Sequence, residues 1–80
     1  MNNSIYLKAL QLIKEDDWHQ AHDLISEYDD ENASRIHAFL HRIEGDLWNA
    51  DYWYRRGGTT RPAMSISDEW EMLFKLMSRS

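Results

Sequence analysis

No cysteine occurs among the 80 residues, which excludes a disulfide scaffold, a thiol nucleophile, a cysteine-ligated zinc and an iron–sulfur cluster together. Proline occurs once and glycine three times, so helix breakers are scarce. No apolar run exceeds three residues, as in Tyr52-Trp53-Tyr54, and the segment Met1-Asn2-Asn3-Ser4 is neutral. Neither a signal peptide nor a membrane span is expected, and cytoplasmic residence follows. Basic charge is short as well: nine Lys and Arg stand against 14 Asp and Glu, a net charge of −5. The bulk attraction toward nucleic acid or anionic lipid that clustered lysine and arginine supply is therefore missing. What is plentiful is aromatic surface, with four tryptophans, four tyrosines and two phenylalanines. A chain of this length hides only about two thirds of its unfolded surface, so these rings serve the core before they serve anything else.

The apolar residues recur with helical period throughout, and no alternating strand pattern emerges. Five helices are expected. The first, about 4–14, follows possible caps at Asn3 and Ser4 and turns Ile5, Ala9, Leu12 and Ile13 to one side. The second, about 17–28, opens at Asp16-Asp17 and lines up Trp18, Ala21, Leu24, Ile25 and Tyr28 within about 120° of arc. The third runs from beyond the acidic turn at 29–32 to about Glu44, where Gly45 supplies a left-handed residue. Asp46 caps the fourth, about 46–56, and the short link forces an antiparallel pair. Residues 57–67 form a loop. The fifth helix begins near Ser67, carries Asp68 and Glu69 where its dipole favours acid, and buries Trp70, Leu73, Phe74, Leu76 and Met77.

Displacing the chain by 29 residues lays Glu15-Asp16-Asp17-Trp18-x-x-Ala21 on Glu44-Gly45-Asp46-Leu47-x-x-Ala50. Each half is then a helix, an acidic tight turn and a second helix, with a small residue where the two approach. The fold expected is all-α: two stacked antiparallel helical hairpins and a C-terminal capping helix, forming a single domain over 1–80. Ala38, Gly45-Asp46, Ala50, Tyr54, Gly57 and Pro62 give residues 34–62 a resemblance to a tetratricopeptide or Sel1-like repeat. Ser34, His37 and His41 stand where that repeat carries a large aromatic, a leucine and a tyrosine. The run from Ile36 to Asp46, with Asn49-Ala50 and Tyr52-Trp53-Tyr54-Arg55-Arg56, also resembles a group of small helical bacterial proteins. That likeness implies a bacterial cytosolic protein and brings no reaction, substrate or catalytic residue with it.

Chemistry has one candidate cluster. His37, His41 and Glu44 fall within about 60° of one another on the third helix. Imidazoles at i and i+4 can converge on a metal, with Glu44 as a third ligand and His22 or His19 completing the set. The zinc-protease pattern requires glutamate directly after the first histidine, and position 38 is alanine. The simpler expectation is that His37 and His41 are half-buried seam residues, hydrogen-bonded to Glu44, a tyrosine or backbone. On that expectation no cofactor is held and added zinc leaves the melting temperature unchanged. Gly57-Gly58-Thr59-Thr60 lacks the lysine and preceding strand of a phosphate loop, and no nucleophile elbow is present. Catalysis therefore has no positive signal.

The fourth helix carries aromatic residues on two faces. Leu47, Ala50, Trp53 and Tyr54 share one, while Trp48, Tyr52 and Arg55 share another. One neighbour cannot cover both. Either the fifth helix covers the second face with Trp70, Phe74 and Met77, or Trp48, Tyr52 and Arg55 remain as an anchor for a protein partner or a second copy. Stacking on single-stranded RNA would use the same residues, and the acidic balance opposes it. The functional expectation is a protein–protein interaction or assembly module without catalysis; the alternative is a metal- or ligand-binding protein built on His37, His41 and Glu44.

Overall fold

A computed structural model describes residues 3–79 of the chain, and these form α1 (Asn3–Lys14), α2 (Trp18–Ile25), α3 (Glu31–Ile43), α4 (Leu47–Arg56) and α5 (Ile66–Ser78). The fold is all-α; among the described residues there is no strand. No described helix is long and apolar enough to cross a membrane. Asn3 and Ser4 already lie within α1 rather than ahead of it, and the positions before them fall outside the described residues. Three caps are aspartates: Asp17, Asp30 and Asp46 accept from the backbone N–H groups of Gln20, Ala33 and Asn49. Helix α2 ends at Ile25, three residues short of expectation. There the Ser26 hydroxyl donates to the Asp23 carbonyl at 3.3 Å, a local bond that competes with helix continuation. The cap of α5 is Ser65, whose Oγ accepts from the Asp68 N–H at 3.0 Å, so the helix starts ahead of Ser67.

The 29-residue repeat is visible in the backbone of both turns. At the first, the N–H of Asp16 donates to Ile13 and that of Asp17 to Leu12; at the second, Gly45 donates to Arg42 and Asp46 to His41. This is the same paired closure of a helix C-terminus, in which the first donor takes left-handed backbone. Asp16 does so at φ 64° and Gly45 at φ 87°. Aspartate tolerates that region better than most residues, which is how the first turn dispenses with glycine. In both turns the second donor is the aspartate that caps the next helix, so two residues end one helix and start another. Space around Gly45 is open, with no atom within 4 Å of an added Cβ, so only its backbone angle opposes substitution. We expect Gly45→Val to lower the unfolding free energy by about 1–2 kcal/mol and Asp16→Gly to raise it by about 0.5–1 kcal/mol. Urea midpoints that fail to move in opposite directions would deny the two turns this shared geometry.

Ala9 and Ala21 in the first hairpin, and Ala38 and Ala50 in the second, are fully buried, which lets each pair of helices approach closely. Helix α3 is the centre of the molecule and packs against each of the other four. Its Ile36, Phe39 and Leu40 meet Tyr6 and Leu10 of α1, Ile25 of α2, and Leu73 and Met77 of α5 in the main core. Gly57, at the end of α4, lies so close to α3 that an added Cβ would sit 2.7 Å from Arg35 Cγ. Arg35 Nε donates to the Gly57 carbonyl at 2.8 Å across the same approach.

Helix α5 does not cover the second face of α4. It packs on α1 and α3, and its Trp70 indole donates to the Leu10 carbonyl of α1 at 2.9 Å. The expectation that Trp70, Phe74 and Met77 shield Trp48 and Tyr52 is corrected: Trp70 and Met77 belong to the main core, and Phe74 is exposed, stacked on Trp70 at 5.2 Å. The stripe that docks is Glu69, Leu73 and Met77, spaced by four. Phe74 falls to its edge.

Candidate functional site

The two hairpins meet where α2 lies on α3, and the histidines gather at that seam. His22 comes from α2; His37 and His41 come from successive turns of α3. Helix α3 is held there by its burial against four neighbours, and α2 is fixed on it by the Trp18 indole, which donates to the Leu40 carbonyl at 2.7 Å. The result is a nest of three imidazoles. His37 and His41 stack at 5.0 Å, and His22 meets their rings edge to face at 4.8 Å and 5.4 Å. One ligating atom from each residue lies within 4.8 Å of the other two. Indoles wall the nest on both sides: Trp18 lies flat on His22 at 4.8 Å, and Trp53 of α4 lies flat on His37 at 3.9 Å.

The individual histidines differ. His41 is a seam residue in the way the sequence suggests, with Nδ1 2.9 Å from Glu44 Oε2. His37 is only 6% exposed, yet its Nδ1 is buried without a hydrogen-bond partner. Burial above all, and then His22 and His41 beside it, push the His37 imidazole down to about 4. Burial first, then His41 and to a lesser extent His19, lower His22, with Asp23 and Glu44 opposing. His19 is exposed, meets the Trp18 ring edge to face at 5.4 Å, and does not join the nest. Glu44 is bound to His41 and is not among the three converging imidazoles; with His41 and Asp46 it makes a second group of converging ligand atoms. Asp46 is already committed there, since Asn49 donates to it through both backbone and side chain; those bonds hold its carboxyl below the usual carboxylate range.

The second candidate surface is the outer face of α4. Trp48 is 80% exposed, Tyr52 40% and neighbouring Leu47 42%. Arg55 is exposed on the same face, and the stripe passes into a surface cavity of about 280 Å³ lined by Asp51, Arg55, Thr60 and Arg61. Asp51 and Arg61 are ion-paired at 3.2 Å. Arg56 bridges the two faces, its guanidinium carbon 5.9 Å from the Tyr52 ring and 5.2 Å from Trp53. The structure thus brings Trp48, Tyr52 and Arg55 together on one open face, as their spacing requires.

A third polar group escaped the sequence reading. Glu69, expected in the first turn of α5 where the helix dipole favours acid, is 1% exposed. Arg42 Nη1 donates to its Oε1 at 2.6 Å, and the Tyr54 hydroxyl donates to its Oε2 at 2.6 Å. Burial first, and the bond to Glu69 second, raise the Tyr54 phenol far above its ordinary value, so it stays protonated as the donor. Arg42 Nη2 also donates to the Met64 carbonyl, which ties the loop before α5 to α3. The available signal was positional: Glu69 precedes Leu73 by four residues and Met77 by eight, on the buried stripe. No family model matches this chain, and no curated protein or solved structure is significantly similar to it.

Proposed function

We propose that this protein is a small cytoplasmic assembly module that associates without catalysis, and that the outer face of α4 pairs with the same face of a second copy. The observation that carries this reading is Trp48, 80% exposed at the head of the stripe. Covering that exposed indole on association is worth roughly 2–3 kcal/mol of apolar transfer per side, before the costs of association. A helix this short leaves few better uses for it.

The stripe is also self-complementary. Trp48, Asp51, Tyr52 and Arg55 follow the i, i+3, i+4, i+7 spacing of one helix face. Set antiparallel to itself about a two-fold axis between Asp51 and Tyr52, that face brings Trp48 to the Arg55 of the other copy and Tyr52 to its Asp51. Guanidinium over indole and phenol against carboxylate are both favourable pairs, and an isologous contact makes each of them twice. A two-hairpin array is short for a self-sufficient solenoid, so the resemblance to tetratricopeptide-like stacking supports pairing too. In sedimentation velocity the wild type is expected to form a dimer, and Trp48→Ala to shift it to monomer with its helical circular dichroism unchanged. A wild type that stays monomeric at its solubility limit would remove this reading.

A further inference from the structure

We propose that His22, His37 and His41 form a three-imidazole site for a divalent transition-metal ion of the zinc class, which joins the two hairpins. Four observations meet at these residues. The ligating atoms already lie within 4.8 Å of one another; three imidazoles on a tetrahedral ion with metal–nitrogen bonds of about 2.0–2.1 Å place their nitrogens about 3.3 Å apart. The gap left to close is at most about 1.5 Å per pair. His37 carries a buried Nδ1 with no partner, a polar atom that a core would otherwise satisfy. Glu44 engages Nδ1 of His41, which leaves Nε2 as the lone pair for an ion and reproduces the carboxylate–histidine arrangement that orients metal ligands. Finally, Trp18 and Trp53 close both flanks with flat apolar rings, while half-buried His22 leaves a route from solvent.

The donor set selects the ion. Three neutral imidazoles suit zinc and its neighbours, whereas calcium and magnesium require oxygen ligands and the chain has no thiolate to offer. With three protein ligands the fourth position falls to water or to a small anion. The other group of converging ligands, His41, Glu44 and Asp46, is spent on existing bonds: Glu44 on His41, and Asp46 on capping α4. An ion at the triad would span α2 of the first hairpin and α3 of the second. In a chain with so small a core, such a link holds the hairpins in register as a disulfide would elsewhere.

The full chain, stripped with a chelator and exchanged into chelator-free buffer, is titrated with Zn²⁺ in a calorimeter and with Co²⁺ in a visible spectrometer. One ion per chain is expected, with tetrahedral cobalt bands and a melting temperature that rises with zinc. His22 lies outside the main core, so His22→Gln should keep its helical signal while losing at least about a hundredfold in affinity; Glu44→Gln should lose about ten- to a hundredfold. Wild-type protein giving neither zinc heat nor cobalt bands at ion concentrations up to about 0.1 mM would overturn the site. So would binding that survives His22→Gln and disappears in Asp46→Asn, because that places the ion on the surface carboxylates.

Discussion

Arg42→Ala is expected to lower the unfolding free energy by about 3–5 kcal/mol, a large share of the stability a domain of this size carries. Glu69 is fully buried and has two partners, the Arg42 guanidinium and the Tyr54 hydroxyl, each at 2.6 Å. Removing the guanidinium leaves a carboxyl group in the interior with one neutral donor, and its desolvation is then uncompensated. The loop before α5 loses its tie to α3 at the same time, because Arg42 also holds the Met64 carbonyl. Tyr54→Phe should cost less, about 1–2 kcal/mol, since the ion pair survives it. Replacing both charges by apolar residues, Arg42→Met with Glu69→Leu, should recover most of the loss. Urea denaturation of the four proteins tests this ordering. A single Arg42→Ala change that leaves the midpoint where the wild type has it would mean that solvent reaches Glu69.

The fold was legible where a rule acts locally. Five helices follow from spacing and caps, because an aspartate before an apolar stripe satisfies the same backbone donors wherever it stands. The equivalence of the two turns was legible from Glu15-Asp16-Asp17 and Glu44-Gly45-Asp46, even though Asp16 replaces glycine at the left-handed position. Where α5 docks was not legible. Trp70 and Phe74 are adjacent on the helix and equally apolar, and only the carbonyl of Leu10, 60 residues earlier in the chain, decides which of them is drawn inward. The burial of Glu69 was not legible for the same reason. Its identity says surface, its spacing says core, and the choice depends on an arginine on another helix.

For the histidines, the pair on α3 is evident from i, i+4 spacing, with Glu44 as the expected third ligand and either His22 or His19 completing the set; the spacing does not choose between those two. The alignment of α2 over α3 that makes them a nest depends on Trp18 reaching Leu40, a contact between helices that no local pattern encodes. The same holds for Trp53, whose place against His37 follows from the packing of α4 on α3. The open face of Trp48 was one of two readings, and it was settled by where α5 went.

Acidification should destabilise the metal-free protein well before its carboxylates dominate the titration. His37 in the folded chain protonates only near pH 4, whereas in the unfolded chain it does so near its ordinary value of 6.5. Between these limits the unfolded state binds the additional proton, so stability falls as pH falls. The contribution is fully present above about pH 6.5 and is lost as pH drops toward 4; allowing for partial solvent access to the ring, it amounts to about 2 kcal/mol. His22, lowered first by burial and then by His41, adds to it with the same sign. The groups that face His37 are His22 on α2 and His41 on α3, with neutral Trp53 on α4; no carboxylate is among the influences on it, which is why protonation finds no compensation. His37→Phe keeps an aromatic ring against Trp53 and removes the proton site. Urea midpoints measured with chelator from pH 7.5 to 4.5 should therefore fall more steeply for the wild type than for His37→Phe, and the two curves should converge in slope above pH 7. Parallel curves across the whole range would show that His37 protonates as easily in the folded chain as in the unfolded one, and would place the acid sensitivity of this protein elsewhere.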